Sequence, residues 1–246
     1  MTFCIIIPAR FKSKRLPGKP LIKINNETLI EKTYKNLIKC IDKEKIFITS
    51  DSQLVLKKME KYTKNLILIN KYCKNGTERA SEALSSIPKL YKNILICSCD
   101  MPFLTKESLK FIISKKTFLH KKKLAGVTLH AKIFSKKTYL DKSTAKIILN
   151  KEGEILYLSR APIPFIHKKK ANYYSHHGLV ILKRSILEKF KKYKRSNLEI
   201  LEDNEWLRLI ENGYKIKSFL FKRLKPEINT KQDLKDYFNY KFTVNK

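Results

Sequence analysis

The sequence predicts an α/β fold, a mostly parallel, Rossmann-like sheet with helices on both faces and an antiparallel extension in its second half. Three observations point there. The run from Phe3 to Ile7 has no polar alternation, as expected of a strand covered on both faces. Apolar runs at 46–49, 66–69 and 94–98 alternate with helix-like stretches, which is the pattern of βαβ units. In the second half the strand-like runs follow one another through turns such as Lys151-Glu152-Gly153, as antiparallel strands do.

Taken in order, helices are expected near 28–41, 53–62, 77–86 and 106–114. Strands are then expected at 124–129, 145–149, 154–158, 178–182 and 216–221, extending the sheet or forming a dimer arm. A helix over 197–212 takes Ser196 or Asn197 as its N-cap and has Gly213 just past its end. A last helix begins at Thr230, whose Thr-x-x-Asp233 spacing fits a capping box. No internal repeat or low-complexity linker divides the chain, so one folded unit over 1–246 is expected.

Composition narrows the function classes. The net charge is +32, but only eight of the 54 basic residues are arginines, and lysines decorate every predicted element. Lysine runs of this kind are solvated faces and loops, and no zinc finger or RNP-like strand accompanies them, so no specific nucleic-acid partner is expected. No apolar run approaches eighteen residues and the start does not read as a leader; a soluble, cytoplasmic protein without membrane insertion is expected. Cys4, Cys40, Cys73, Cys97 and Cys99 are odd in number and scattered, as reduced thiols are. Cys97 and Cys99 would share a face of one strand, which is weak support for a metal site.

The chemistry-bearing residues begin directly after the first strand. Arg10, Lys12, Lys14, Arg15 and Lys19 crowd one loop at the carboxyl edge of the sheet, where open α/β sheets bind ligands, so a polyphosphate is the expected partner. Pro17-Gly18 supplies a turn that lets backbone N–H groups approach it. The loop is neither GxGxxG nor a Walker A sequence, since Gly18-Lys19 is followed by Pro20.

Asp100 ends another apolar strand and is placed either to bind Mg²⁺ or to cap the turn before Pro102. Asn75-Gly-Thr-Glu-Arg79 opens a helix, where it can read a base or ribose or serve as a plain cap. Glu199, Glu202 and Glu205 recur every three residues and are expected on one helix face, as a site or as a balance to nearby lysines. His176-His177-Gly178 precedes a strand and is either structural or catalytic.

Taken together the chain resembles the CMP-KDO synthetase (3-deoxy-manno-octulosonate cytidylyltransferase) family. The match rests on Ile7-Pro-Ala-Arg10, Arg15-Leu-Pro-Gly-Lys-Pro20, Gly76-Thr-Glu-Arg79, Asp100 with Pro102, Lys146, Ser159-Arg-Ala161 and Ile163-Pro164. It continues through His176 with Gly178, Leu198-Glu199, Glu202, Glu205, Leu207-Arg208, Thr230 and Asp233-Leu234. The resemblance implies a homodimeric nucleotidyltransferase that converts CTP and KDO, a 3-deoxy-ulosonic acid, into CMP-KDO and pyrophosphate with Mg²⁺ as cofactor. It implies a nucleotide-binding half at 1–120 and a sugar-acid-binding and dimerisation half at 121–246.

Carried over by position, Arg10, Arg15 and Lys19 hold the triphosphate and act with Asp100 in catalysis. Ala9, Arg10 and Gly76, Thr77, Glu78 and Arg79 meet the nucleotide; Arg160, His176, Glu199 and Glu202 line the sugar-acid pocket. Asp100 and residue 229 hold the metal.

Departures from the family pattern cluster at the site. Ser98-Cys-Asp-Met-Pro102 replaces Gln-Gly-Asp-Glu-Pro, Val180 replaces a Tyr, Trp206 a Gln, and Asn229 the second metal-binding Asp. Three readings stand open: repair by a neighbour such as Glu227, a different (for example amino-substituted) ulosonic acid, or a catalytically weakened nucleotide-binding paralogue.

Overall fold

The computed structural model describes residues 2–13, 16–167, 172–222 and 227–244. Arg15 and Lys14 of the cationic loop lie outside the described residues. In chain order the elements are β1 (Phe3–Ala9), β2 (Lys23–Ile24), β3 (Glu27–Thr28), α1 (Leu29–Ile38), β4 (Ile46–Ser50), α2 (Gln53–Met59), β5 (Leu66–Leu68), α3 (Gly76–Ala83), β6 (Asn93–Ile96) and α4 (Lys106–Ser114). The second half adds β7 (Leu124–Ile133), α5 (Lys136–Leu140), β8 (Lys146–Leu149), β9 (Ile155–Ser159), β10 (Tyr173–Lys183), α6 (Arg184–Phe190), α7 (Asn197–Glu202), α8 (Trp206–Glu211), β11 (Lys215–Leu220) and α9 (Lys231–Val244).

The main sheet runs β11-β7-β10-β6-β1-β4-β5. β1 lies between β4 and β6, parallel to both, with Ile5 opposite Ile46 on one side and Leu95 on the other. Along this path β10 alone runs against its neighbours, and β8 and β9 extend it as an antiparallel pair. The sheet is therefore the mixed, mostly parallel one expected from the sequence, and the second-half strands extend it.

The unbroken apolar character of β1 follows from its burial on both faces. Ile5, Ile7 and Ala9 pack with Ile30, Tyr34 and Leu37 of α1 and Val55 and Met59 of α2, whereas Cys4 and Ile6 face Ala80 and Ala83 of α3 and Leu187 and Phe190 of α6. The strand's period of two distributes alternate residues to two cores. α1 is fixed at its start by a capping box in which the Thr28 hydroxyl accepts from the Glu31 N–H and the Glu31 carboxylate accepts from the Thr28 N–H.

Several expectations need correction. The run at 94–98 is strand only to Ile96; Ser98 to Asp100 leave the sheet in a turn. The helix expected over 197–212 is two helices, because Asp203 adopts a left-handed conformation (φ 46°) that closes α7 and re-aims the chain into α8. Glu199 and Glu202 remain together on α7, whereas Glu205 stands at the start of α8, so the three do not form one helix face. Ser196 is the N-cap of α7, accepting from the Glu199 N–H. The β2–β3 hairpin, α5 and α6 were not expected from the sequence; each is short and follows a neighbouring element after few residues.

Candidate active site

The carboxyl ends of β1, β4 and β6 open on one edge, and polar contacts lock the loops that leave them. The Ser50 hydroxyl donates to the Ala9 carbonyl (2.7 Å) and the Phe11 N–H donates to the Asp51 carboxylate (2.8 Å). Asp51 also faces the buried Arg79 guanidinium at 3.5 Å. Asp51, which carries no motif in the sequence, therefore ties the start of the cationic loop to α3. Gly18 adopts φ 68° and donates its N–H back to the Phe11 carbonyl (3.0 Å), a conformation that favours glycine. The chain then enters a 3₁₀ turn over Lys19–Leu21, which carries Lys19 into the site.

Arg10 points across this edge toward the start of α3, donating to the Lys74 carbonyl (2.9 Å) with its guanidinium 5.9 Å from the Tyr72 ring centre. Gly76 opens α3 directly against β1: a Cβ there would sit 3.1 Å from the Pro8 ring. Asn75 caps the helix by accepting from the Glu78 N–H (2.8 Å). The structure thus brings Ala9, Arg10 and Gly76 together. The side chains that follow are engaged by protein: Thr77 donates to Glu205 (2.9 Å), Glu78 accepts from Arg208 (2.7 Å), and Arg79 donates to the Ile69 carbonyl (3.3 Å).

A second group forms around Asp100. Lys19 Nζ forms an ion pair with Asp100 Oδ2 and donates to Asn229 Oδ1 at 3.0 Å. Burial works against the Lys19 charge, but Asp100 and, farther off, Glu227 outweigh it and raise the lysine pKa. Asp100 is only 7% exposed, and its other oxygen, Oδ1, is buried with no hydrogen-bond partner among the described residues. The Ile228 N–H donates to the Asp100 carbonyl (3.0 Å), holding the segment before α9 against this turn. Glu227, a possible substitute ligand on its sequence position, accepts through its carboxylate from the Gly178 N–H (3.0 Å) and the Asn229 amide (3.4 Å).

Residues expected around a sugar acid divide differently. Arg160 spends its guanidinium on the carbonyls of Ser143 (2.6 Å), Asp203 (3.1 Å) and Glu202 (3.2 Å). The Glu202 carboxylate accepts from Ser159 (2.7 Å), the Arg160 N–H (2.7 Å) and Tyr157 (3.1 Å); burial disfavours its charge, but these donors win and hold its pKa low. Glu199 is 1% exposed and bidentate to Arg208, with both contacts at 2.6 Å and Arg195 at 3.0 Å. It forms part of a buried ion network with Glu78.

Glu205 is pushed toward protonation by burial. His176 sits 3.3 Å from the Thr128 hydroxyl and edge-on to Trp206; burial first, then the positive charges around it, push its pKa down to about 3. Val180 and Trp206 are core residues. Cys97 and Cys99 are buried thiols whose pKa values burial raises, and among the described residues no set of three or more His, Cys, Asp or Glu side chains is grouped to hold a metal ion.

The Asp100 group nevertheless suits a hard divalent cation. Mg²⁺ is commonly held by one or two carboxylates together with substrate phosphates, and a buried carboxylate oxygen without a partner is a vacant donor of that kind. A mostly parallel sheet whose carboxyl edge carries Arg10 and Lys19 beside such an acid is the arrangement of an α/β nucleotidyltransferase.

The comparisons narrow this class. The sequence profile of the Cytidylyltransferase family matches residues 4–217. The 3-deoxy-manno-octulosonate cytidylyltransferase of Chlamydia pneumoniae is 32% identical over 232 residues, 94% of this chain and 91% of that protein. That of Fusobacterium nucleatum subsp. nucleatum is 31% identical over 241 residues, covering 98% and 97%. A solved structure of CMP:2-keto-3-deoxy-manno-octonic acid synthetase complexed with CTP superposes with a TM-score of 0.87 at 25% identity, covering 99% of this chain and all of that one. The chain belongs to the cytidylyltransferase family.

Proposed function

We propose that this protein activates 3-deoxy-manno-octulosonate: CTP and the sugar acid give CMP-KDO and pyrophosphate. The observation that carries this is the Asp100 group, in which a lysine and a carboxylate with one vacant oxygen meet at the carboxyl edge of the sheet. Similarity at 25–32% identity over nearly the whole chain to relatives named for that reaction supports the substrates.

In this reading Arg10, Arg15 and Lys19 bind the triphosphate, and Ala9, Arg10, Gly76, Thr77, Glu78 and Arg79 shape the nucleotide pocket, the last three chiefly through the backbone at the start of α3 and the contacts that fix it. Arg160, His176, Glu199 and Glu202 build the sugar-acid side. Arg160 and Glu202 order the turn after β9, and Glu199 holds α7 against Arg208. Asp100, with Asn229 beside it, holds Mg²⁺, which when bound neutralises charge on the phosphates.

The anomeric hydroxyl oxygen attacks the α-phosphorus in line, forming the new P–O bond as the bond to the bridging oxygen of the β-phosphate breaks. The hydroxyl proton passes to solvent and the two departing phosphates leave as pyrophosphate, their charge met by the cationic loop. Positioning and charge suffice, and no covalent enzyme intermediate is needed. A homodimer in the cytoplasm completes this reading; consistent with it, no helix among the described residues is long and apolar enough to cross a membrane.

The test is a pyrophosphate-release assay with Mg²⁺ across CTP, UTP, ATP and GTP and a panel of keto-deoxy sugar acids. Release that requires both CTP and KDO is expected. Release with another nucleotide, or with a different ulosonic acid and not KDO, would contradict it.

A further inference from the structure

The segment before α9 carries an acid, Glu227, against β10 and next to the turn that holds Asp100. β10 contains a bulge: His177 pairs with Leu129 but Val180 with Thr128, so Gly178 and Leu179 fall out of the ladder. Bulges re-aim backbone groups next to functional sites, and here the Thr128 hydroxyl lies 3.1 Å from the freed His177 carbonyl and 2.9 Å from that of Leu179. The Gly178 N–H is turned instead to Glu227 Oε1 at 3.0 Å. The missing side chain at 178 makes the room, since a Cβ would stand 2.9 Å from Glu227 Oε1 and 3.1 Å from Met101 Cε.

Glu227 is thus held in place by a bulge, a glycine and a backbone donor. Its other oxygen, Oε2, accepts among the described residues only from the Asn229 amide, at a long 3.4 Å. Among the described residues it makes no ion pair, in a chain whose net charge is +32. The Ile228 N–H, one residue on, is bonded to the Asp100 carbonyl, which fixes the two acid-bearing segments to each other.

Asn229 is oriented the other way, its oxygen accepting from Lys19 and its NH₂ donating to Glu227. An amide adds no formal charge for a cation. The independent observation is Asp100 Oδ1, a buried oxygen with no hydrogen-bond partner among the described residues.

We propose that Glu227 supplies the second carboxylate for the divalent cation, with Asp100 supplying the first and Asn229 positioning Glu227. This rests on the reading above, in which the cation sits at Asp100. Affinity for a hard cation rises with the charge of its ligand set, so a Glu here compensates for the neutral Asn229.

The experiment measures Mn²⁺ binding to the full chain with CTP, by the electron paramagnetic resonance signal of free Mn²⁺, and needs no turnover. Glu227→Gln keeps the acceptor for Gly178 and removes only the charge. It is expected to raise the Mn²⁺ concentration for half-saturation by about tenfold or more, with Asp100→Asn at least as damaging. Asn229→Asp in the Glu227→Gln background is expected to restore binding.

Normal Mn²⁺ affinity in Glu227→Gln with loss in Asp100→Asn would overturn the Glu227 assignment and leave the Asp100 site standing. Unchanged affinity in both would overturn the assignment together with the site beneath it. Should Glu227→Gln melt early, Glu227→Asp retains the charge but withdraws it by one methylene. Weakened Mn²⁺ binding is expected there too, and unchanged binding would overturn the proposal.

Discussion

Lys19 and Asp100, 81 residues apart in the chain, meet as an ion pair at the carboxyl edge of the sheet, with the Asn229 oxygen accepting from the same ammonium. The pair joins the cationic loop to the turn after β6. Asp100→Asn leaves the buried Lys19 ammonium without its counter-charge, so it is expected to lower the melting temperature and, at temperatures where it is folded, to reduce pyrophosphate release by about 10²-fold or more, the scale of losing a preorganised charge at a reacting centre. Lys19→Met strands a buried carboxylate as well, so it should lose both activity and stability. Circular dichroism melts alongside the release assay separate the two effects; activity within a few-fold in Asp100→Asn would remove that residue from the chemistry.

Glu199 behaves in this structure as a framework residue. It is buried on two arginines, and removing one partner of a buried pair typically costs about 3–5 kcal/mol. Glu199→Gln is expected to melt well below the parent protein while keeping the KM for the sugar acid within about twofold at temperatures where it is folded. A large KM increase without a change in melting would place Glu199 on the substrate instead.

His176 should stay neutral through the physiological range. Its folded pKa is about 3 against an ordinary 6.5, so the folded state binds fewer protons than the unfolded chain between those values. Stability falls as pH drops from about 6.5 toward 3, and this histidine contributes nothing to that loss above 6.5. Ring nitrogen NMR shifts are expected to report one neutral tautomer at pH 5, and His176→Gln should lose less stability than the parent between pH 6.5 and 4. A His176 titration near 6.5 would contradict this.

Cys97 and Cys99 should resist thiol reagents in the folded protein at pH 7.5, since burial raises both pKa values, that of Cys99 to about 12, and closes access. Labelling by mass spectrometry is expected at these positions only after unfolding. Modification at native rates would reopen the metal reading of the pair.

What the sequence revealed was carried by short-range pattern. The unbroken run Phe3–Ile7 marks a strand with a core on each face, and Thr-x-x-Asp233 marks the start of α9, where the Asp233 carboxylate accepts from the Thr230 and Asn229 N–H groups at 2.7 Å. Arg10, Lys19 and Asp100 were legible because residue type and position at a strand end coincide. Asp51, the partners of Glu199 and the seat of Glu227 were not, since each depends on segments distant in the chain. Three glutamates spaced by three look like one helix face until a single residue, Asp203, turns left-handed between them. No local pattern announces that φ value for an Asp. Glu227 became significant only when the β10 bulge brought Gly178 against it.

The most direct measurement of the central claim is a crystal structure of the protein with CTP and Mn²⁺, with anomalous data collected to locate the metal. A manganese peak is expected at Asp100, with the triphosphate at the edge that carries Lys19 and Arg10. A triphosphate bound away from this edge, or a manganese peak that does not touch Asp100, would contradict it.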